Sequence, residues 1–354
     1  MQPRCGWPAV FALGVLAVWD AMSTAQVIVD PFAFFRPSLV VTVGELQRLD
    51  RGEVLVRVLP AEHRELAVFA AVSVKADADR LVEWVRNIAA LKQSSYVLAI
   101  RRFSDPPCLE DLDDLSLDEQ DLQDVRQCRP RDCALKLGAE EMMLLQRAAL
   151  DAGPLWRSRL QDAFRLVVLH RVQAYLGAGQ SALPDSADGH APASLQAGFS
   201  GILTHSLPVT QNLPAFSDYL GRYPDAPMPD VESFLYWSKE RFAGKAVVSV
   251  THVAILRAAP ETGLDVLVAG KQVFATHYMT GSLNLTALLH GPGEAPHYVA
   301  YFNRSQVDVL GGFFGGLARH IMEGRVKSES STVLLGLRQR LDGGPPRQPG
   351  VTRF

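Results

Sequence analysis

Apolar residues recur in short runs that predict β-strands towards both ends of the chain. These runs are "EVLVRVL" (53–59), "ELAVFAAVSVK" (65–75), "YVLAIRRF" (96–103), "VVSVTHVAILRA" (247–258), "KQVFATHYMTGS" (271–282) and "HYVAYFNRS" (297–305). Apolar residues at helical spacing predict helices over 79–92, within 139–177 and over 231–242. A long C-terminal helix is predicted to begin near Gln306.

The order of these elements predicts the fold class. Runs of strands that end in one long helix are typical of an α+β fold. We therefore predict a curved antiparallel sheet gripping a long C-terminal helix, with a large, mostly helical insertion at about 105–242. Residues 26–342 are expected to form a single α+β domain, followed by a disordered tail over 343–354.

Two stretches resemble the START-like (SRPBCC) helix-grip superfamily. They are "GEVLVRVLP…LAVFAAVSVKADADRLVEWVRNI" (52–88) and "YVAYFNRSQVDVLGGFFGGLARHI" (298–321). The resemblance implies a cavity between the sheet and the C-terminal helix that accepts an apolar or amphipathic molecule. Folds of this kind host carriers, cyclases and hydrolases, so the fold alone does not select an activity. The chain also resembles exported bacterial protein families for which resemblance implies no activity.

The N-terminus predicts export. Arg4 precedes the apolar run "GWPAVFALGVLAVW" (6–19), and "STA" (23–25) supplies small residues for cleavage after Ala25. The apolar run is shorter than the ~20 residues that span a bilayer, and no later segment is long and apolar enough to span one. We therefore expect residues 1–25 to be a signal peptide and the mature protein to be periplasmic or extracellular.

Charge and cysteines narrow the expectations further. The chain carries 35 Lys and Arg against 38 Asp and Glu, a net charge of −3, which gives no electrostatic case for nucleic acid or anionic membrane as a partner. In an oxidising compartment, "CRPRDC" (128–133) favours a disulfide between Cys128 and Cys133. A metal site there would need more ligands than Cys108 provides. Cys108 is then the unpaired thiol.

Two histidines on predicted strands are the candidates for chemistry. Counting alternate residues places His252 on a face with Val250 and Ala254, and His277 on a face with Val273 and Ala275. We expect both to line one interior, as hydrogen-bonded or ligand-contacting side chains. Acid–base catalysis is the alternative, with Asp308 as a further catalytic candidate. A metal shared by the pair would need a third ligand, and only His290, His297 and Asp308 lie nearby in sequence.

These observations leave three functions open. The first is binding of a small molecule in an internal cavity, with ligand contacts from His252, His277, Tyr278, Arg304 and Phe313. The second is a periplasmic enzyme of hydrolase or cyclase type that uses His252 and His277 as acid and base. The third is an envelope protein that contacts partners through the acidic segment 105–125 and the proline-rich segment 205–231. Standard nucleophile motifs are missing, and no metal and no cofactor are expected.

Overall fold

Eight strands form one antiparallel sheet. The computed structural model describes residues 30–62, 64–189, 192–258, 263–291, 296–311, 315–344 and 346. The strands are β1 (Leu55–Leu59), β2 (Glu65–Val74), β3 (Val97–Arg102), β4 (Val231–Phe242), β5 (Lys245–Arg257), β6 (Leu264–Ala275), β7 (Met279–Leu289) and β8 (His297–Val307). Their order across the sheet is β1-β2-β8-β7-β6-β5-β4-β3. The predicted α+β class with a curved antiparallel sheet is confirmed.

Ten α-helices accompany the sheet within the described ranges. They are α1 (Val43–Asp50), α2 (Ala78–Arg86), α3 (Ile88–Lys92), α4 (Glu119–Gln127), α5 (Ala139–Leu150), α6 (Trp156–Ala178), α7 (Leu195–Thr204), α8 (Leu207–Asn212), α9 (Pro214–Arg222) and α10 (Gly315–Asp342). Helices α4 to α9 lie between β3 and β4, and they form the predicted helical insertion. None of the described helices is both long and apolar enough to cross a bilayer.

Helices cover both faces of the sheet. Side chains alternate between the two faces along each strand, so each strand contributes to both buried layers. One face, which we call the insertion face, includes Phe69, Leu285 and Phe302 and packs against helices α7, α8 and α9. Helices α4, α5 and α6 cover the β4–β6 end of the same face. The opposite face, which we call the terminal-helix face, packs against α2 and α10 through Val82 and Leu334.

The segment 231–242 is a strand, so the prediction of a helix there is wrong. Alternate side chains enter opposite layers: Phe234 and Tyr236 pack on the terminal-helix face, and Leu235 and Trp237 on the insertion face. With both faces buried, the apolar run is continuous, and periodicity cannot separate such a strand from a buried helix. These aromatics are buried. They therefore belong to the two buried layers on either side of the sheet.

The C-terminal helix begins later than predicted. Strand β8 continues to Val307, residues 308–311 form a 3₁₀ turn, and α10 starts at Gly315. Helix α10 packs on β1 and β2, and near its end Leu334 and Leu341 are buried. Gly344, inside the predicted tail, accepts a hydrogen bond from the Trp84 indole at 2.9 Å. Residues 345 and 347–354, like the predicted signal peptide, lie outside the described residues.

The predicted disulfide is present between Cys128 and Cys133, and Cys108 is a free thiol. The bridge follows α4 and closes a two-residue β-bridge between Arg129 and Asp132. The acidic segment 105–125 is anchored by buried leucines at positions 112, 115, 117 and 122. Two of its carboxylates, Asp111 and Asp121, are buried with them.

Candidate functional site

A fully buried lysine lies in the middle of the insertion face. The exposed fraction of Lys271, on β6, is 0%. Its ammonium donates to the carbonyl of Leu220 at 2.8 Å and lies 4.3 Å from the ring centre of Phe199 and 5.2 Å from that of Tyr175. No carboxylate among the described residues forms an ion pair with it. Burial lowers the pKa of Lys271 from 10.5 to about 7, because desolvation penalises the charged form.

The Leu220 carbonyl lies in the last turn of α9, which explains its role as acceptor. The last four carbonyls of a helix have no partner within the helix, and the helix dipole makes this end negative. Lys271 satisfies one of these carbonyls. The helix C-terminus is a weak counter-charge compared with a carboxylate, so the ammonium stays poorly compensated.

His252 is the cross-strand neighbour of Lys271 on β5. Its Nδ1 lies 2.8 Å from the Tyr175 hydroxyl, its Nε2 lies 3.4 Å from the Tyr219 hydroxyl, and its ring centre lies 4.4 Å from that of Tyr223. Burial, and then the charge of Lys271, lower the pKa of His252 to about 3. His252 is therefore a neutral imidazole that donates through one nitrogen and accepts through the other.

These five side chains, Lys271, His252, Tyr175, Tyr219 and Tyr223, form a unit that we call the lysine–tyrosine cluster. Burial, followed by the other two phenols, holds the pKa of Tyr175 well above its ordinary value. Burial also raises the pKa of Tyr219 and of Tyr223. The cluster therefore combines hydroxyl donors, a neutral imidazole and an amine that titrates close to neutral pH.

The helical insertion supplies the three tyrosines of the cluster. Tyr175 comes from the C-terminal part of α6, Tyr219 from α9, and Tyr223 follows α9 directly. Next to the cluster, Gln180 donates to the Val273 carbonyl at 3.4 Å, and its own buried Oε1 has no partner among the described atoms. Unpaired buried polar atoms are rare in folded proteins. The Gln180 Oε1 atom is therefore a buried acceptor that no described protein atom uses.

The structure separates the two histidines that the sequence placed together. Strand β6 ends at Ala275, and His277 lies in the turn 276–278. A register shift pairs Val250 with Phe274 but Thr251 with Gln272, so β6 holds one extra residue and the count of alternate faces fails across it. His277 is six residues beyond Lys271 and past the end of β6, whereas His252 is the cross-strand neighbour of Lys271.

His277 instead joins the insertion to the end of the sheet. Its Nδ1 lies 2.9 Å from the carbonyl of Ala134, and its Nε2 lies 3.2 Å from the carboxylate of Asp121. Both neighbours present oxygen atoms to the imidazole. His277 and Asp121 are both buried. This contact therefore holds α4 against the end of the sheet.

Two further candidates lie near this turn. Tyr278 has a positive φ of 63° and its ring centre lies 5.8 Å from that of Phe242. Burial, and then Asp121, raise the pKa of Tyr278. Asp308 pairs with the ammonium of Lys136 at 2.6 Å and accepts from the Thr280 hydroxyl at 3.1 Å. Neither of them is in contact with His252.

The remaining ligand-binding candidates lie elsewhere. Arg304, on the insertion face of β8, is buried and pairs with Glu65 at 2.6 Å, and its Nε has no partner among the described atoms. Glu65 also contacts His205 at 2.7 Å. Phe313 lies outside the described residues.

Possible metal ligands come together at one end of the sheet. Asp265, His290 and His297 place one ligand atom each within 4.8 Å of one another. The sequence suggested His290 and His297 as third ligands for a metal held by His252 and His277. They lie beside each other instead, and Asp308 is not part of their group.

Sequence reasoning missed the lysine of the cluster. The signal was available, because Lys271 interrupts the apolar strand "LDVLVAGKQVFA" (264–275). A lysine in such a run is either at an edge or buried, and lysine is almost never fully buried unless it is paired. The tyrosines could not be assigned, because the insertion brings them to the sheet from distant parts of the chain.

Two pockets formed by described residues are open to solvent. One, of about 430 Å³, is lined by Asp77, Asp79, Arg80, Glu83, Arg86 and Arg257. A second, of about 180 Å³, lies beside it near Lys75 and Asp342. Neither is apolar, and neither borders the lysine–tyrosine cluster, which α6 and α9 enclose.

One solved structure is similar to part of the chain. No protein-family model matches the chain, and no curated protein sequence matches it. Part of the chain is similar to the crystal structure of the di-domain ARO/CYC StfQ from the steffimycin biosynthetic pathway, at 16% identity and a TM-score of 0.23. The match covers 42% of this chain and 47% of that chain, so it spans about half the length of that protein. A TM-score this low does not establish a shared fold.

Proposed function

We propose that this protein is exported and binds an apolar or amphipathic small molecule on the insertion face of the sheet, beside Lys271. The observation that carries the proposal is a fully buried ammonium without a carboxylate partner among the described residues. An ionised group transferred from water to a protein interior costs several kcal/mol unless it is well paired. A methionine of similar length would avoid this cost. Retention of the lysine is therefore explained by a ligand group that meets it.

The surroundings indicate the chemistry of the ligand. The rings of Tyr175, Tyr223 and Phe199 offer apolar faces, and the ammonium of Lys271 and the tyrosine hydroxyls offer donors. Such a site suits a largely apolar molecule that carries a carbonyl or acidic oxygen. This proposal extends the START-like resemblance and changes the residues expected to contact the ligand.

Access to the cluster requires a movement of its cover. Helices α8 and α9 are short, and each begins at or next to a proline, Pro208 and Pro214. Helix α9 contacts the insertion face through Phe216, Tyr219 and Leu220. Displacement of α9 would expose both Lys271 and His252, because Leu220 and Tyr219 are their partners.

Binding can be tested with 8-anilinonaphthalene-1-sulfonate, an aromatic probe with an acidic group. We expect Lys271→Met to weaken the fluorescence-detected affinity at least about 10-fold, the equivalent of 1.4 kcal/mol. The matched control is Lys239→Met, which removes a lysine of β4 that pairs with Asp118. Equal affinity for wild type and Lys271→Met, or an equal loss in the control, would refute the proposed site.

A native mass spectrum of protein purified from its own host adds a probe-independent test. A retained small molecule should appear in the wild type and in Lys239→Met, and it should be absent from Lys271→Met. Retention that is unaffected by Lys271→Met would place the ligand elsewhere in the molecule.

Export is proposed from the N-terminal sequence, and the Cys128–Cys133 disulfide supports it because such bridges persist in oxidising compartments. The intact mass of the exported protein should match a chain that begins at Gln26. A full-length product retained in the cells would contradict the proposal.

A second candidate function is catalysis by Lys271. Its pKa of about 7 leaves a large fraction as free amine at neutral pH, and a free amine is a nucleophile towards carbonyl carbon. The amine nitrogen would add to an aldehyde or ketone, and water would leave as the Schiff base forms. Borohydride reduction in the presence of an aldehyde panel, followed by peptide mapping, would show modification of Lys271. Modification of surface lysines alone would exclude this candidate.

A further inference from the structure

Three potential metal ligands meet at one end of three neighbouring strands. Asp265 is the second residue of β6, His290 follows the last residue of β7, and His297 is the first residue of β8. Strand β7 lies between β6 and β8 in the sheet, so these strand ends are adjacent. The backbone holds them there: the His290 amide donates to the Gly263 carbonyl at 3.0 Å, and Asp265 accepts from Ala258 at 3.1 Å.

The distances fit a shared ion better than direct hydrogen bonds. A carboxylate oxygen of Asp265 lies 3.5 Å from Nε2 of His297 and 3.9 Å from Nδ1 of His290, and the two imidazole centres are 5.0 Å apart. Hydrogen bonds between such atoms are normally 2.7–3.2 Å long. Ligand atoms bound tetrahedrally at about 2.0 Å from zinc are about 3.3 Å from one another. Small side-chain rotations would therefore bring all three onto one ion.

These three side chains form few other contacts with the described residues. Among the described residues, the carboxylate of Asp265 has the two imidazoles as its only ion-pair neighbours. His290 is 57% exposed, so the group is open to solvent on one side. On β6, Asp265 lies six residues from Lys271, roughly 20 Å along the strand, so this group is separate from the lysine–tyrosine cluster.

We propose that Asp265, His290 and His297 form a zinc site with three protein ligands and an open fourth position. Two imidazole nitrogens and one carboxylate oxygen are a ligand set that Zn²⁺ accepts, and three protein ligands leave one position for water or an external ligand. The two imidazoles make this ligand set a poor one for calcium or magnesium, because those ions prefer oxygen ligands.

The test is a zinc titration of the untagged mature protein after removal of metal with EDTA. Isothermal titration with ZnCl₂ should show one ion per chain in the wild type. Loss of residues that merely orient metal ligands costs about 10- to 100-fold in affinity, so His290→Ala, His297→Ala and Asp265→Asn should each cost at least about 100-fold. His170→Ala removes an exposed histidine of α6 and serves as the matched control.

A second measurement keeps the test informative if one variant is poorly folded. His290 is the most exposed of the three, so His290→Ala should retain the far-ultraviolet circular dichroism of the wild type. Co²⁺ in place of Zn²⁺ should give the strong visible absorption of a four-coordinate site in the wild type and in His170→Ala. The absence of stoichiometric Zn²⁺ binding, or equal binding by all four variants, would overturn the proposal.

Discussion

The buried ammonium of Lys271 should make the stability of the protein depend on pH in a way that one substitution removes. The substitution Lys271→Met keeps a buried side chain of similar length and removes the amine that titrates. The folded pKa of about 7 against 10.5 for an ordinary lysine corresponds to a penalty of about 5 kcal/mol on the charged form, at 1.36 kcal/mol per unit.

The direction in which stability changes with pH follows from the protons bound by the folded and the unfolded state. Below pH 7 the lysine is protonated in both the folded and the unfolded state, so the folded state carries the full penalty. Between pH 7 and 10.5 the unfolded state holds a proton that the folded state has released. Stability therefore rises with pH across this window. Integration from pH 6.5 to pH 9 gives a gain on the order of 2 to 3 kcal/mol in the wild type.

The assay is urea denaturation of wild type and Lys271→Met at half-unit steps from pH 6.5 to 9. Differences between the two proteins cancel the contributions of other titrating groups. Measurements stop at pH 6.5 because His252, whose folded pKa of about 3 lies below its ordinary 6.5, removes stability from both proteins as the pH falls further. Leu267→Met, on the same face of the same strand, is the neutral control.

We expect Lys271→Met to be the more stable protein at pH 6.5 and its advantage to shrink by roughly 2 to 3 kcal/mol by pH 9. Leu267→Met should follow the pH dependence of the wild type. Parallel curves for wild type and Lys271→Met would show that the ammonium is solvated or paired in solution, and the reasoning about the cluster would fail.

Two further predictions concern the insertion. Asp121→Asn removes the buried carboxylate that His277 contacts at 3.2 Å and should cost about 2 kcal/mol of unfolding free energy in urea denaturation, whereas Asp114→Asn at an exposed position should change it by less than about 0.5 kcal/mol. Equal effects would mean that the Asp121 contact does not stabilise the fold. Replacement of Cys128 and Cys133 by serine should cost about 2 kcal/mol without reductant, given their sequence separation of 5. Free thiols at both Cys128 and Cys133 in protein purified without reductant would contradict the bridge.

The first two strands could be predicted because local pattern decides them, whereas the single strand predicted over 271–282 is wrong, since β6 ends at Ala275 and β7 begins at Met279. Strands 53–59 and 65–75 alternate or are continuously apolar, they are bounded by turn residues, and the structure has β1 and β2 at these positions. The segment 231–242 was misassigned because burial on both faces removes the alternation on which the assignment depends. Its neighbours in the sheet, which decide its conformation, are not visible in its own sequence.

The site was only partly predictable for a related reason. His252 was found because histidine in an apolar strand is conspicuous. The surroundings of His277 depend on Asp121, which is distant in the chain, and on one extra residue in β6 that shifts the side-chain alternation. The burial of Lys271 is a property of the cover, α6 and α9, and the strand that carries it does not encode that cover.

The strand order also dictates when the sheet can be completed. Strands β4 to β8 follow one another in sequence and pair as successive hairpins, so this part forms from local contacts. The hairpin of β1 and β2 is made first, yet β2 pairs with β8, which is made almost last. During synthesis, the β8-facing edge of β2 has no native partner until β8 is made, and such edges are templates for aggregation. A chain that ends before His297 would keep that edge open permanently, so productive folding should depend on a chaperone or on rapid completion of the chain.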